Sequence, residues 1–274
     1  MKILVTGASG PAGAITLKHL IEKGYDAVGA GRKAVADKPW VVLDYAKPTT
    51  FRKALKGVTH LFLVVPSGAK NPEYYQQFID AALEVEHITF LSGRTTGDIK
   101  GRVLNTVEEQ VRNCGLPYTI LRPGWFMQNF SDGELARDIR EEGMIYLPSG
   151  DRKTAFVDVR DIAEAVEQTF LEASHIGKTY ELVSAEAIDH HQVANLFSRA
   201  LDKSVEYLDI SPADFTTLML ERGWDEKGIA AYIYLYDIVK TGKEEHLSPD
   251  LAMILGREPR GFAEFIADHL EVWR

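Results

Sequence analysis

Three glycines set the chemistry at the start of the chain. Thr6-Gly7-Ala8-Ser9-Gly10-Pro11-Ala12-Gly13 spaces them G-x-x-G-x-x-G, directly after the β-forming residues 3–6. Gly7 permits a tight turn, Gly10 lets backbone approach a pyrophosphate, and Gly13 lets the next helix pack close to the sheet. The start of that helix offers free amides and the positive end of its dipole to an anion. A glycine turn without a ligand is the plainer alternative. The motif's position at the first strand–turn–helix favours a bound dinucleotide, cradled by Thr6, Gly7, Ser9, Gly10, Pro11, Ala12 and Gly13. A second signal is Gly31-Arg32-Lys33, at the end of an expected second strand. An acid at this position accepts a hydrogen bond from the ribose 2′-OH of NAD, whereas a base accommodates the 2′-phosphate of NADP. Residues 29–33 contain no acid, and Arg32 has the planar fork that suits a phosphate. NADP(H) is therefore favoured over NAD(H).

The elements that must position these residues follow from the rhythm of the chain. Short apolar runs at 3–6, 27–31, 41–43, 60–65, 88–92 and 118–122 alternate with stretches of helical spacing. Such alternation predicts a parallel sheet covered on both faces, an α/β doubly wound Rossmann fold. Beyond residue 125 the pattern changes. Helices are expected over 134–142 and 161–171, strands at 154–157 and 179–183, and mostly helix from 192. Ser248-Pro249 and Gly256 read as the start and stop of one such helix. The predicted organisation is a Rossmann core over 1–130, completed by about 153–185, and a smaller helix-rich substrate-binding lobe from 131–152 and 186–274.

Composition narrows the function. The 274 residues carry a net charge of −9, which disfavours a nucleic-acid partner. The single cysteine, Cys114, excludes an intrachain disulfide and suits a reducing compartment. Met1-Lys2-Ile3-Leu4-Val5-Thr6 reads as a strand and not a targeting segment, and no apolar run approaches the roughly 18 residues of a membrane span. A cytoplasmic protein without a membrane partner, monomeric or homodimeric, is expected.

Several further stretches carry a family resemblance. Together with the glycine motif, Leu121-Arg122-Pro123-Gly124-Trp125-Phe126-Met127-Gln128-Asn129, Phe156-Val157-Asp158-Val159-Arg160-Asp161-Ile162-Ala163 and the tail from Gly256 to Phe265 resemble the NmrA-like branch of atypical short-chain dehydrogenases/reductases. The resemblance covers essentially the whole length. Residues 236–243 are similar to its triphenylmethane reductase and quinone reductase members. It implies that Pro123 and Gly124 lie near the nicotinamide, that Val65, Pro66 and Ser92 line the cofactor, and that Asp44 lies near the adenine. Trp125, Phe126 and Asn129 would face an aromatic or conjugated small-molecule substrate. A turn or core role is the alternative for each. Asp158 and Asp161 read as structural, capping a helix that begins near 161.

Ordinary short-chain dehydrogenases use a Tyr and a Lys four residues later as an acid–base pair. Residues 93–115, where the pair belongs, contain no Tyr. The resemblance places a Lys or His where Leu104 stands, and Lys100, one turn earlier, is a weak substitute. Tyr236 and Lys240 have the right spacing but fall in the C-terminal lobe, so the match reads as chance. Tyr232 and Tyr236 share a helix face, as core or as a wall of the substrate pocket. His190 and His191 point apart and read as exposed polar residues at a helix start, and no metal site is evident. Two functions remain in view: an NADPH-dependent reductase of quinones, dyes or related conjugated compounds without a Tyr–Lys pair, and a non-catalytic NAD(P)-binding regulator. A nucleotide-sugar epimerase or dehydratase is disfavoured by the missing Tyr.

Overall fold

Runs such as Ile3-Leu4-Val5 and Leu61-Phe62-Leu63, apolar at every position, suit strands buried on both faces. The computed structural model describes residues 1–66 and 68–274. In chain order the strands are β1 Lys2–Val5, β2 Asp26–Gly31, β3 Trp40–Val42, β4 His60–Val64, β5 His87–Leu91, β6 Tyr118–Pro123, β7 Trp125–Phe126, β8 Met144–Leu147, β9 Phe156–Val157, β10 Thr179–Leu182 and β11 Glu206–Asp209. The helices are α1 Pro11–Glu22, α2 Phe51–Ala54, α3 Pro72–Asp80, α4 Val103–Asn113, α5 Gly133–Glu141, α6 Val159–Leu171, α7 His190–Leu201, α8 Pro212–Glu221, α9 Glu226–Lys240, α10 Asp250–Leu255 and α11 Phe262–Asp268.

Seven strands form one sheet in the order β10-β6-β5-β4-β1-β2-β3, and every pair is parallel. The expected doubly wound α/β fold is therefore present. The chain reverses direction across the sheet between β1 and β4, and in such folds ligands bind at that switch point, beyond the carboxyl ends of the strands. Helix α1 opens on Pro11 and closes at Gly24, whose φ of +85° lets the Tyr25 N–H return to the Leu20 carbonyl at 3.0 Å. Glu167 of α6 fixes it further, accepting from Tyr25 Oη at 2.9 Å and meeting His19 Nε2 at 2.6 Å.

The chain divides into two compact units. The first holds Met1–Pro123, Val159–Leu182 and Asp250–Arg257; the second holds Gly124–Asp158, Val183–Pro249 and Glu258–Arg274. Residues 124–130 fall in the second unit, not in the core as expected, because β7 pairs with β9, Trp125 opposite Phe156. Helix α10, expected in the lobe, falls in the first unit, where the Asp250 carboxylate accepts from the Glu181 N–H at 2.8 Å.

The second unit is built on aromatic rings: Phe130, Phe156, Phe197, Phe262, Phe265 and Trp273 are buried together. Trp273 Nε1 donates to the Phe130 carbonyl at 2.9 Å. A buried fork from Arg222 to Asp138, 2.8 and 2.9 Å, ties α8 to α5. The expected mostly helical stretch from 192 is interrupted by β11, which pairs in parallel with β8. Four residues with one buried position carry little periodic signal, and their partner lies some sixty residues earlier. No helix among the described residues is long and apolar enough to cross a membrane.

Candidate functional site

The glycine turn takes the form its sequence requires. Gly7 has φ +61°, and a Cβ there would meet the Val64 side chain at 2.9 Å. A Cβ on Gly13 would lie 2.3 Å from the Gly7 carbonyl oxygen, so at this position α1 packs against the turn itself. Gly10 differs: its nearest neighbour for such a Cβ is the Gly7 oxygen at 3.5 Å, an ordinary contact that leaves its outer side open. The Gly10 N–H closes the turn onto Gly7 O at 2.9 Å, and Pro11 has no N–H. The amides of Ala12 and Gly13, in the first helical turn, have no intrahelical acceptor. Thr6 serves the frame. Its buried hydroxyl accepts from the Val64 N–H at 2.8 Å and donates to the Phe62 carbonyl at 3.2 Å, joining β1 to β4.

A cavity of about 320 Å³ opens beside this turn, lined wholly by the first unit. It gathers Thr6, Gly7, Ser9, Arg32, Asp44 and Pro66 from the sequence-based set. Arg32 is exposed on its rim, with no carboxylate paired to it among the described residues. Asp44 is engaged locally, accepting from the Ala46 N–H at 3.1 Å and lying 3.5 Å from Lys47 Nζ. Lys33 and Val65 do not reach the cavity. Lys33 uses its carbonyl to hold Trp40 Nε1 at 2.8 Å, and Val65 packs on the core.

Sequence reasoning missed the other wall, made by Tyr45, Lys70, Asn71, Tyr74 and Tyr75. Burial pushes the Tyr75 hydroxyl up to about 12 and raises Tyr45 as well, so both stay neutral beside an anion. Asn71-Pro72, a helix start at the carboxyl end of β4, was the available signal. Gly10, Pro11, Ala12 and Gly13 do not line the cavity, which fits a dinucleotide phosphate end through the glycine turn at Gly7 and Ser9, neutral hydroxyls and an unpaired guanidinium.

The remaining residues do not line this cavity. Ser92, just past β5, is buried and donates to Glu108 Oε2 at 2.6 Å. Lys100 is exposed, and Leu104 is half-buried in the first turn of α4. Pro123 ends β6. A Cβ on Gly124 would strike the Ala155 carbonyl oxygen at 2.4 Å, so packing inside the second unit explains that glycine. In the same unit Trp125 stacks on Tyr236, with ring centroids 5.1 Å apart and planes at 24°. Tyr232 makes an edge contact with Trp224 at 5.0 Å. Phe126 is half-buried, Asn129 is exposed, and Tyr232 keeps 39% of its surface open while Tyr236 keeps 4%.

Tyr236 shares only its spacing from Lys240 with a Tyr–Lys pair. Burial raises its hydroxyl far above the ordinary value, and Lys240 Nζ lies 3.5 Å from Asp237. Asp158 and Asp161 are fully buried. Asp161 is held by Arg257 at 2.7 Å, and Asp158 accepts from Gln128 at 2.8 Å, with α6 beginning at Val159, two residues earlier than expected. His190 corrects the expectation of an exposed residue. It is buried, its Nδ1 is 3.0 Å from Ser149 Oγ, and Phe130, Phe156 and Tyr207 surround its ring. The capping box of Asp189 and Gln192 turns it inward.

Parallel strand order, glycine turn and switch-point cavity together define a Rossmann-type protein. The chain matches the model of the NmrA-like family over residues 1–266 and belongs to that family. It is 30% identical to agroclavine dehydrogenase of Claviceps fusiformis, over 100% of this chain and 99% of that one. To the NAD(P)H azoreductase of Xenophilus azovorans it is 28% identical, over 97% of each. An NADPH-dependent quinone oxidoreductase of Escherichia coli, solved with NADPH, superposes with a TM-score of 0.83 at 26% identity, covering 98% of this chain and 99% of that one.

Proposed function

We propose that the protein is an NADPH-dependent reductase of quinones, dyes or similar conjugated small molecules, working without a Tyr–Lys pair. The observation that carries this reading is the switch-point cavity with Arg32 unpaired on its rim, where a 2′-phosphate would find a planar donor fork. The named activities of the azoreductase and quinone oxidoreductase relatives support the acceptor class. A bound dihydronicotinamide supplies the hydride. The chain's part is to bind and orient: the glycine turn and the α1 amides hold the pyrophosphate, and Arg32 selects the 2′-phosphate. Ser92, Pro123 and Gly124 are assigned to the nicotinamide end. Trp125, Phe126, Asn129, Tyr232 and Tyr236 are assigned to the acceptor, with Trp125 giving a flat apolar face for a conjugated ring, backed by the buried ring of Tyr236. Such an acceptor takes its proton from water, so α4 needs no tyrosine acid.

The test follows NADPH absorbance with a panel of quinones, azo dyes and triarylmethane dyes. Loss of absorbance that requires the acceptor, with deuterium from labelled NADPH appearing in the product where the acceptor atom is carbon, is the expected result. Tight NADPH binding with no acceptor reduced would replace this reading with that of a dinucleotide-binding regulator.

A further inference from the structure

The helix that carries the acid–base pair in ordinary short-chain dehydrogenases carries a buried carboxylate here. Glu108, in the middle of α4, is 2% exposed. Its Oε2 accepts from Ser92 Oγ at 2.6 Å and Arg122 Nε at 3.1 Å; its Oε1 accepts from Arg122 Nη2 at 2.7 Å and Arg112 Nη2 at 2.9 Å. Four hydrogen bonds occupy the roughly four acceptor sites of an ionised carboxylate. Burial pushes the Glu108 carboxyl up, but the bonds from Arg122, Ser92 and Arg112 outweigh it and hold the carboxyl below its ordinary range. The group is therefore a fixed anion with no lone pair left to take a proton from a substrate.

Its partners stand at the carboxyl ends of two adjacent strands. Ser92 follows β5, and Arg122 is the penultimate residue of β6, directly before Pro123. The loop between β5 and α4 closes over them. Asp98 binds Arg122 Nη1 at 2.8 Å, and a Cβ on Gly97 would sit 2.7 Å from Ser92 Oγ and 3.2 Å from Glu108 Oε2, so only glycine lets the loop close there.

We propose that Glu108 is a positioning residue for hydride transfer: it locks the Ser92 hydroxyl as a donor toward α4, leaving that oxygen acceptor-only, and together with Arg122 it fixes the β5 and β6 ends that flank the nicotinamide. This rests on the reductase reading above. It goes beyond that reading by giving α4 a role in alignment in place of proton transfer.

The test compares wild type with Glu108→Gln, Ser92→Ala and the double variant, each checked for native melting. It reads NADPH affinity, the emission of bound NADPH, and kcat with a quinone. The phosphate-binding end is untouched, so Kd should stay within about threefold. Emission should move toward that of free NADPH, and kcat should fall about 10- to 100-fold, as slight misplacement at a reacting centre does. The double variant should be no slower than the slower single variant, because both substitutions break one link. Should Glu108→Gln not fold, Ser92→Ala keeps the Glu108–Arg122 pair and still reads emission and kcat. Native emission and kcat in the folded variants would overturn the proposal, as would losses that add in full. A wild type that binds NADPH without turnover would overturn the reductase reading and with it the role in hydride transfer, and the emission of the variants would still decide whether Glu108 positions the ring. A wild type that does not bind NADPH would overturn both.

Discussion

An exposed guanidinium without a carboxylate beside it, such as Arg32, gains more from a phosphate than one already paired. A charge-assisted hydrogen bond contributes about 1.5–3 kcal/mol, so Arg32→Ala should weaken NADPH binding roughly 10- to 100-fold and leave NADH nearly unchanged. Titrating both coenzymes checks this, and equal losses would show that Arg32 does not read the 2′-phosphate. A second prediction separates Tyr236 from Trp125. Tyr236 is buried with its hydroxyl raised and its ring stacked on Trp125. Tyr236→Phe keeps the ring and should retain most of the quinone reductase activity, whereas Trp125→Ala should lose much more. A drop of about 100- to 10,000-fold in Tyr236→Phe, the range for a lost acid–base group, would make that hydroxyl the proton donor.

At the scale of elements, the glycines of the first turn have separable jobs. Gly13 lies against backbone, 2.3 Å from its would-be Cβ to the Gly7 oxygen, while the nearest neighbour at Gly10 is an ordinary contact at 3.5 Å. Gly13→Ala must push α1 off the turn, so it should lower the melting temperature by several degrees as well as abolish NADPH binding. Gly10→Val should abolish binding with melting almost unchanged. Thermal melts beside coenzyme titrations distinguish the two, and equal melting losses would show that Gly10 is also packed. The motif's spacing made both glycines legible. It could not show that Gly13 packs on the turn, because that contact depends on how tightly the turn closes.

For the whole molecule, buried histidines make stability depend on pH. Burial, with the neighbouring His60 and His175, lowers His87 from 6.5 to about 4. Burial also lowers His190 to about 4, against a partial opposing pull from Asp189 and Asp209. Between pH 6.5 and 4 the unfolded chain takes up protons at these positions and the native chain does not. Stability should therefore decline as pH falls through that window, by on the order of 1–3 kcal/mol for each histidine at its lower end. Melting of wild type and a His87→Asn/His190→Asn variant across pH 7.5 to 4 checks this: the variant's curve should be the flatter. Parallel curves would remove these histidines from the account.

The sequence by itself determined the parallel sheet, the glycine turn and the place of Arg32. Each is a local pattern, a run of apolar residues or a fixed spacing within one strand–turn–helix, and local patterns are written in contiguous residues. Only the tertiary structure decided the rest. Tyr45, Tyr74 and Tyr75 enter the cavity wall because β3 and β4 end on either side of β1 and β2 in the sheet order. His190 is buried because Ser149 and Tyr207, far away in the chain, meet it. Glu108 becomes a fixed anion because two strand ends bring Ser92 and Arg122 to it. A hydrogen bond or a burial of this kind depends on which distant residues the fold makes neighbours, and one position in a sequence does not carry that information.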